Sequence, residues 1–262
     1  MNDAAYVVTT DRGSIRWLTL SQPDRKNAIP PEGWQQITEA LHAFAESGQR
    51  VLVIRGAGDD FCSGADLHLD HLEDLRSPAR GRDYMQLPGA AATTLHRLPK
   101  PTIAAVDGVA VGAGMNLALG CDIVVASERA FFAEVFVKRG LTLDFGGTWL
   151  LPRVVGMARA RELALTGRVV DAAEALAIGL VARVIEPDLL ESHVGELADE
   201  LAAGAPLAQR FIKIGLSRSL DMTFEQSISY EDQAQATLLT SDDLREGVAA
   251  FLERRAAEFE GR

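Results

Sequence analysis

Residues 5–10 and 14–20 alternate apolar and polar positions, the two-residue period of half-buried strands, and Asp11-Arg12-Gly13 between them reads as a hairpin turn. Residues 32–47 instead place Ile37, Leu41 and Phe44 at near-helical spacing, with Gly48 as a stop. Val51–Ile54 is a continuous apolar run, which predicts a strand buried on both faces, followed by a loop from Gly56 to Gly64. The proline-bearing stretch 74–101 predicts a loop and then a helix from about Arg82 to Arg97. Thr102–Val106 and Ile123–Ala126 read as further buried strands. Residues 130–137 fit a short strand or the start of a helix, and 140–149 a loop that delivers a helix. From Pro152 onward the pattern is mostly helical, with one short strand at 181–185. Early alternation of strands and helices, followed by helices alone, predicts an α/β core over residues 1–195 and a helical region over 196–262.

The run D-G-V-A-V-G-A-G-M-N-L-A-L-G-C-D at 107–122 adds a chemical device to this outline. Gly108, Gly112 and Gly114 permit a tight turn and a close approach of backbone to ligand. A helix starting near Ala113 aims free N–H groups at whatever sits in the loop: a phosphate, a carboxylate or a developing oxyanion. A dinucleotide fingerprint fails, because Leu117 stands where the third glycine belongs and Asp122 comes too soon for the ribose acid. A Walker loop fails for want of a following Gly-Lys-Ser/Thr. Asp66, His68, Asp70 and His71 fit no standard metal spacing and read as a polar helix start. Cys62-Ser63-Gly64 is not a serine nucleophile elbow. The glycine loops at 61–67 and 112–114 can each offer one N–H to an oxyanion. Spacing alone equally allows two plain strand-to-helix turns.

Composition narrows the partners. The chain has 262 residues, 47% of them hydrophobic, enough for one large domain or for a core with an appended unit. A net charge of −11 argues against nucleic acid and against an anionic membrane as general partners, but leaves room for an anionic small molecule. No apolar run is long enough to span a bilayer, and M-N-D-A-A-Y-V-V lacks the basic and apolar regions of a signal peptide. Two cysteines far apart, Cys62 and Cys121, fit a reduced, cytoplasmic protein.

Several segments together resemble the crotonase superfamily, the enoyl-CoA hydratase/isomerase family. They are Q-P-D-R-K-N-A (22–28), F-C-S-G-A-D-L (61–67), K-P-T-I-A-A-V-D-G-V-A-V-G-A-G-M-N-L-A (100–118), G-C-D-I-V-V-A (120–126), G-G-T-W-L-L-P-R (146–153) and R-E-G-V-A-A-F (245–251). The resemblance covers nearly the whole chain in the family order. It implies a spiral of ββα units with a helical C-terminal trimerisation region, assembled as a homotrimer or a dimer of trimers. It implies an acyl-CoA thioester as substrate, with coenzyme A part of that substrate and no other cofactor. The carried-over oxyanion donors are the N–H groups of Ala65 and Ala113, reinforced by the helix N-terminus. Asp66 and Leu67 fall where relatives contact adenine, and Arg25 and Lys26 where relatives place basic groups near the CoA phosphates. The bland alternative for Arg25 and Lys26 is solvated loop charge.

The chain departs from the hydratase pattern at two positions. Asn116 and Phe136 stand where hydratases of the family carry their two glutamates, and neither an amide nor a phenyl ring is a general base. Asp144 remains, at the place where the branch resembling 2-(1,2-epoxy-1,2-dihydrophenyl)acetyl-CoA isomerase carries an aspartate. Phe132, Phe136, Phe145 and Trp149 are expected to surround it and raise its pKa; its alternative role is a helix N-cap. Glu134, Asn116, Phe136 and Phe145 are expected at the substrate pocket. Glu134 is also a candidate replacement for the missing glutamate, or one half of a structural ion pair. The resemblance thus implies an isomerase that shifts a double bond or opens an epoxide ring. The alternatives are a hydratase acting on a bulky acyl chain, or a catalytically degenerate acyl-CoA-binding member.

Overall fold

The structure, a computed structural model, describes residues 5–66 and 77–262. Its scaffold is a six-stranded sheet in the order β1-β2-β3-β4-β6-β9. The strands are β1 (Val7–Arg12), β2 (Ile15–Leu20), β3 (Val51–Gly56), β4 (Thr102–Val106), β6 (Ile123–Ser127) and β9 (Arg183–Ile185). β1 is antiparallel to β2 and every other pair is parallel, with Ile54 opposite Ala104 and Ala104 opposite Val124. A second sheet joins β5 (Val109–Val111), β7 (Phe131–Ala133) and β8 (Val170–Asp171).

The apolar runs of the central strands serve both faces of the large sheet. In β3, Leu52 and Ile54 join a core with Trp34, Ile37, Leu41 and Phe44 of helix α1 (Pro31–Glu46). Val51 and Val53, one residue out of phase, pack on the other face against Leu190, Val194, Leu197 and Ala198. Those four belong to a helix, Leu190–Ala203, that runs across the expected boundary at 195. Beyond it come Pro206–Arg218, Phe224–Leu238 and Asp242–Glu253. Lys213 fastens the first of these three helices to the core through the Asp122 carboxylate (2.7 Å) and the Lys100 carbonyl (2.9 Å).

Three local expectations change. The hairpin turns at Gly13-Ser14 rather than at 11–13, because β1 is exposed and takes its register from the buried β2. Helix α2 (Pro78–Arg97) starts four residues before the expected Arg82. Ser77 caps it by accepting the Arg80 N–H, and Pro78 follows as a preset first residue. The stretch 130–137 is strand and then turn, since β7 gives way to a 3-10 turn over Val135–Arg139. Cys62 and Cys121 are buried, unlinked thiols, pushed up to about 12 by that burial. Among the described residues, no helix is long and apolar enough to cross a membrane.

Candidate active site

Two backbone loops are stitched together at the sheet edge. Cys62 donates its N–H to Val109 O (2.8 Å) and accepts from the Val111 N–H (3.0 Å). Ile29 pairs with the same loop, donating to Gly64 O and accepting from the Asp66 N–H, both at 2.9 Å. In that parallel bridge the groups of residues 64 and 66 face Ile29, so those of Ala65 point away. The Ala65 N–H has no acceptor among the described residues. Ala113 opens helix α3 (Ala113–Leu119), whose first intrahelical bond runs from Asn116 N–H to Gly112 O. The Ala113 N–H therefore lacks a helical acceptor, and it has none elsewhere among the described residues. Gly114 makes the close approach possible: a Cβ there would lie 2.4 Å from Cys62 O.

Asn116, Glu134 and Asp144 meet behind this helix mouth. Asn116 is fully buried and donates its amide to the Asp144 carbonyl at 3.0 Å. The same nitrogen lies 3.5 Å from Glu134 Oε2. A Cβ on Gly147 would sit 2.4 Å from that nitrogen, so only glycine lets the amide through. Glu134 is fully buried as well; burial, reinforced by the charge of Asp144, pushes its carboxyl up to about 8. Among the described residues the ion pair expected for Glu134 does not form: its one side-chain partner there is Asn116, and none of their cationic side chains reaches the pocket between α3 and the 140–146 loop.

Asp144 does not cap helix α4 (Gly147–Val155). Gly146 takes the cap position, and the Asp144 carbonyl, not its side chain, accepts the Gly147 N–H at 2.8 Å. Phe145 adopts the left-handed conformation (φ 49°), and Asp144 before it lines a cavity of about 510 Å³. Met85, Ala92, Leu143, Phe145 and Trp149 line that cavity with it. Burial pushes the Asp144 carboxyl up to about 6. Among the described residues, Asp144 is the one carboxylate lining this cavity. Of the expected pocket residues, Phe145 lines it, whereas Asn116, Glu134 and Phe136 are packed away from its walls. Phe136 lies over Gly112 at the helix mouth, and Phe132 is deep in the core.

Of the expected CoA-binding residues, Asp66 lies on the loop that carries Ala65, and Arg25 and Lys26 lie on the turn after β2 that meets it. Arg25 makes a two-pronged pair with Asp66 (2.7 and 2.9 Å), and Lys26 pairs with Asp60 at 3.2 Å. Leu67 lies outside the described residues, as do His68, Asp70 and His71. One neighbour escaped the sequence reading. Tyr84 of α2 is half-buried, and burial pushes its phenol up, with the Asp144 and Asp66 carboxylates adding to the effect. Nothing in the segment R-D-Y-M-Q marks it; only the path of α2 over the loops brings it there.

Fold and site together define the crotonase class. An enoyl-CoA hydratase from Polaromonas sp. JS666 superposes with a TM-score of 0.92 at 33% identity, covering 97% of this chain and 99% of that one. The chain belongs to the enoyl-CoA hydratase/isomerase family, which it matches over residues 10–262. It is 37% identical over 260 residues to the 1,2-epoxyphenylacetyl-CoA isomerase of Escherichia coli (strain K12), covering 98% of this chain and 99% of the relative. It is 32% identical over 254 residues to a short-chain-enoyl-CoA hydratase of Clostridium acetobutylicum, covering 96% of each.

Proposed function

We propose that the chain is an acyl-CoA isomerase that shifts a double bond, or opens an epoxide ring, through a thioester enolate. The observation that carries this reading is that Asp144 faces the cavity as its carboxylate, while Asn116 ties up its amide on the Asp144 backbone. The thioester carbonyl accepts hydrogen bonds from the Ala65 and Ala113 N–H groups, each worth about 2.7–4 kcal/mol as negative charge develops. Asp144 removes a proton from the α-carbon. The C–H electron pair moves into the conjugated enolate, with the charge on the thioester oxygen. Asp144 then returns the proton to the γ-carbon, and the double bond settles between the α- and β-carbons. A carboxyl lifted to about 6 is still mostly ionised at neutral pH, yet basic enough to hold the proton between the two transfers.

Coenzyme A enters as part of the substrate, and no further cofactor takes part. The apolar side chains exposed on the C-terminal helices, Ile212, Leu216, Leu220 and Phe224 among them, support a homotrimer or a dimer of trimers. The free thiols support a cytoplasmic setting. The E. coli relative's name supports an isomerase; the Clostridium relative's name supports the second reading, hydration with Glu134 beside Asp144. The buried Glu134 carboxyl next to Asn116 is the observation favouring that second reading.

The deciding experiment is Asp144→Asn assayed on a panel of 3-enoyl-CoA thioesters, with crotonyl-CoA hydration followed in parallel. The isomerase reading expects loss of double-bond migration by at least about 10²-fold, the scale of general acid–base catalysis. Full activity in the variant refutes it. Sustained hydration that depends on Glu134 establishes the second reading. Thioester binding without any exchange of α-protons for solvent deuterium would leave only a binding protein.

A further inference from the structure

We propose that Glu134 is the proton-holding partner of Asp144: a positioning residue that, beside the Asn116 amide, keeps the site at a single negative charge placed on the aspartate. This rests on Asp144 being the base, and it follows from the donors and acceptors around it. Glu134 Oε1, Asn116 Oδ1 and Asp144 Oδ1 are all buried oxygens without a hydrogen-bond partner among the described residues. Asn116 cannot relieve them by turning its amide over, because its nitrogen is held by the Asp144 carbonyl at 3.0 Å. That nitrogen's remaining reach is toward Glu134 Oε2, at a long 3.5 Å. The cluster is rich in acceptors and poor in donors. A second ionised carboxylate would make it worse, whereas a proton on Glu134 converts an acceptor into a donor.

Among the described residues, no nearby cation offsets a charge on Glu134. Helix α3 contributes Asn116 to its surroundings, and the 140–146 loop contributes Asp144. Lys138 and Arg139, on the turn that Glu134 opens, are exposed. On the neighbouring helix Met157–Thr166, Arg159, Arg161 and Glu162 face outward, and Arg168 beyond it is paired with Glu162 and Glu174. Burial and the Asp144 charge both push the Glu134 carboxyl up, to about 8, and Asp144 rises only to about 6. The two groups are thereby separated into a holder of the proton and a holder of the charge.

The test needs no substrate to begin. In protein with ¹³C-labelled glutamate carboxyls, an NMR titration should show one glutamate still protonated at pH 7, titrating near pH 8. Its resonance should be absent from Glu134→Gln. If every glutamate is ionised at pH 7, the proposal fails. The second arm follows the pH dependence of isomerisation of 3-hexenoyl-CoA. Wild-type kcat should fall below about 6, where Asp144 protonates, and above about 8, where Glu134 ionises. Glu134→Ala should lower kcat about tenfold, and Glu134→Gln should recover most of that loss while abolishing the alkaline limb. An alkaline limb that persists in Glu134→Gln overturns the proposal. So does a glutamine variant as impaired as the alanine one, because the carboxylate itself would then be required. Full activity of Asp144→Asn would remove Asp144 as the base, whereas the carboxyl titration reports on Glu134 independently.

Discussion

Gly114→Ala isolates the contribution of the two apposed loops. The added Cβ would lie 2.4 Å from Cys62 O, 2.8 Å from Cys62 Cβ and 2.9 Å from the Cys62 carbonyl carbon. Ordinary contact begins near 3.4 Å, so helix α3 and the 61–66 loop must part by about 1 Å. Neither side yields cheaply. The obstacle is backbone, and the Cys62–Ala110 bridge beside it holds both chains through bonds of 2.8 and 3.0 Å. Overpacking of this kind costs about 1–3 kcal/mol of stability, or roughly 2–12 °C in Tm for a chain of this size. The catalytic effect should be larger. Two donors must converge on one oxygen within about 2.7–3.1 Å, and a 1 Å separation withdraws one of them, costing about 10²–10³ in kcat. The assay pairs thermal unfolding with kcat for isomerisation of a 3-enoyl-CoA. Gly195→Ala serves as a control: its Cβ would meet nothing within 4 Å inside the helix Leu190–Ala203. That change should raise stability by about 0.5–1 kcal/mol and leave kcat alone. A Gly114→Ala protein with lowered Tm but kcat within about threefold of wild type would refute joint action of Ala65 and Ala113 on one oxygen.

Two further outcomes follow from the buried acids and the cavity wall. The folded-state pKa of Glu134 is raised, so its stabilising proton uptake is fully present below its ordinary 4.5 and is lost as pH climbs through about 8. Wild-type stability should therefore decline across that window, by at most roughly 5 kcal/mol from this group. Urea unfolding of Glu134→Gln should lack that part of the decline; parallel curves for the two proteins would contradict the buried, protonated state. Trp149→Ala removes a wall of the 510 Å³ cavity and its edge-on contact with His96 at 5.0 Å. It should shift the kcat/KM ratio toward bulkier acyl groups by about tenfold or more, measured by competition between short and phenyl-bearing thioesters.

The parts of the molecule that could be read in advance are those where one local pattern has one physical outcome. Val51–Ile54 and Thr102–Val106 are apolar on both faces, and a short strand of that kind belongs in the middle of a parallel sheet. Strands β5 and β8 have three and two residues, and β5 lies inside the glycine-rich loop, so their existence depends on partners distant in sequence. The site divides along the same line. Ala65, Ala113 and Asp144 sit at motif positions, where loop geometry is local. The burial of Glu134 could not be foreseen from F-F-A-E-V-F, since an acid between apolar residues normally points to solvent. Its surroundings come from α3 and the 140–146 loop, which meet it only after folding. Asp144 was legible as a residue but not as a conformation. The left-handed Phe145 that follows it is rare for an aromatic side chain and leaves no compositional trace.

Asn116 and Gly147 act together on the backbone of Asp144, next to the left-handed Phe145. The bare Gly147 backbone lets the Asn116 amide through to the Asp144 carbonyl. That bond, with the Gly147 N–H on the same oxygen, pins the Asp144 main chain inward. The left-handed turn at Phe145 costs about 1–3 kcal/mol in backbone strain, which the two hydrogen bonds offset, and Asp144 lines the cavity. A glutamate at 116 would press an anion against the Asp144 carbonyl and against Glu134, leaving the Gly147 N–H as the one donor on that carbonyl among the described residues. On the proposed isomerase reading, the amide at 116 and the acid at 144 form an alternative to the two-glutamate arrangement rather than a partial loss of it. With the residue at 116 occupied in holding the 144 backbone, the proposed isomerase reading assigns proton transfer to Asp144.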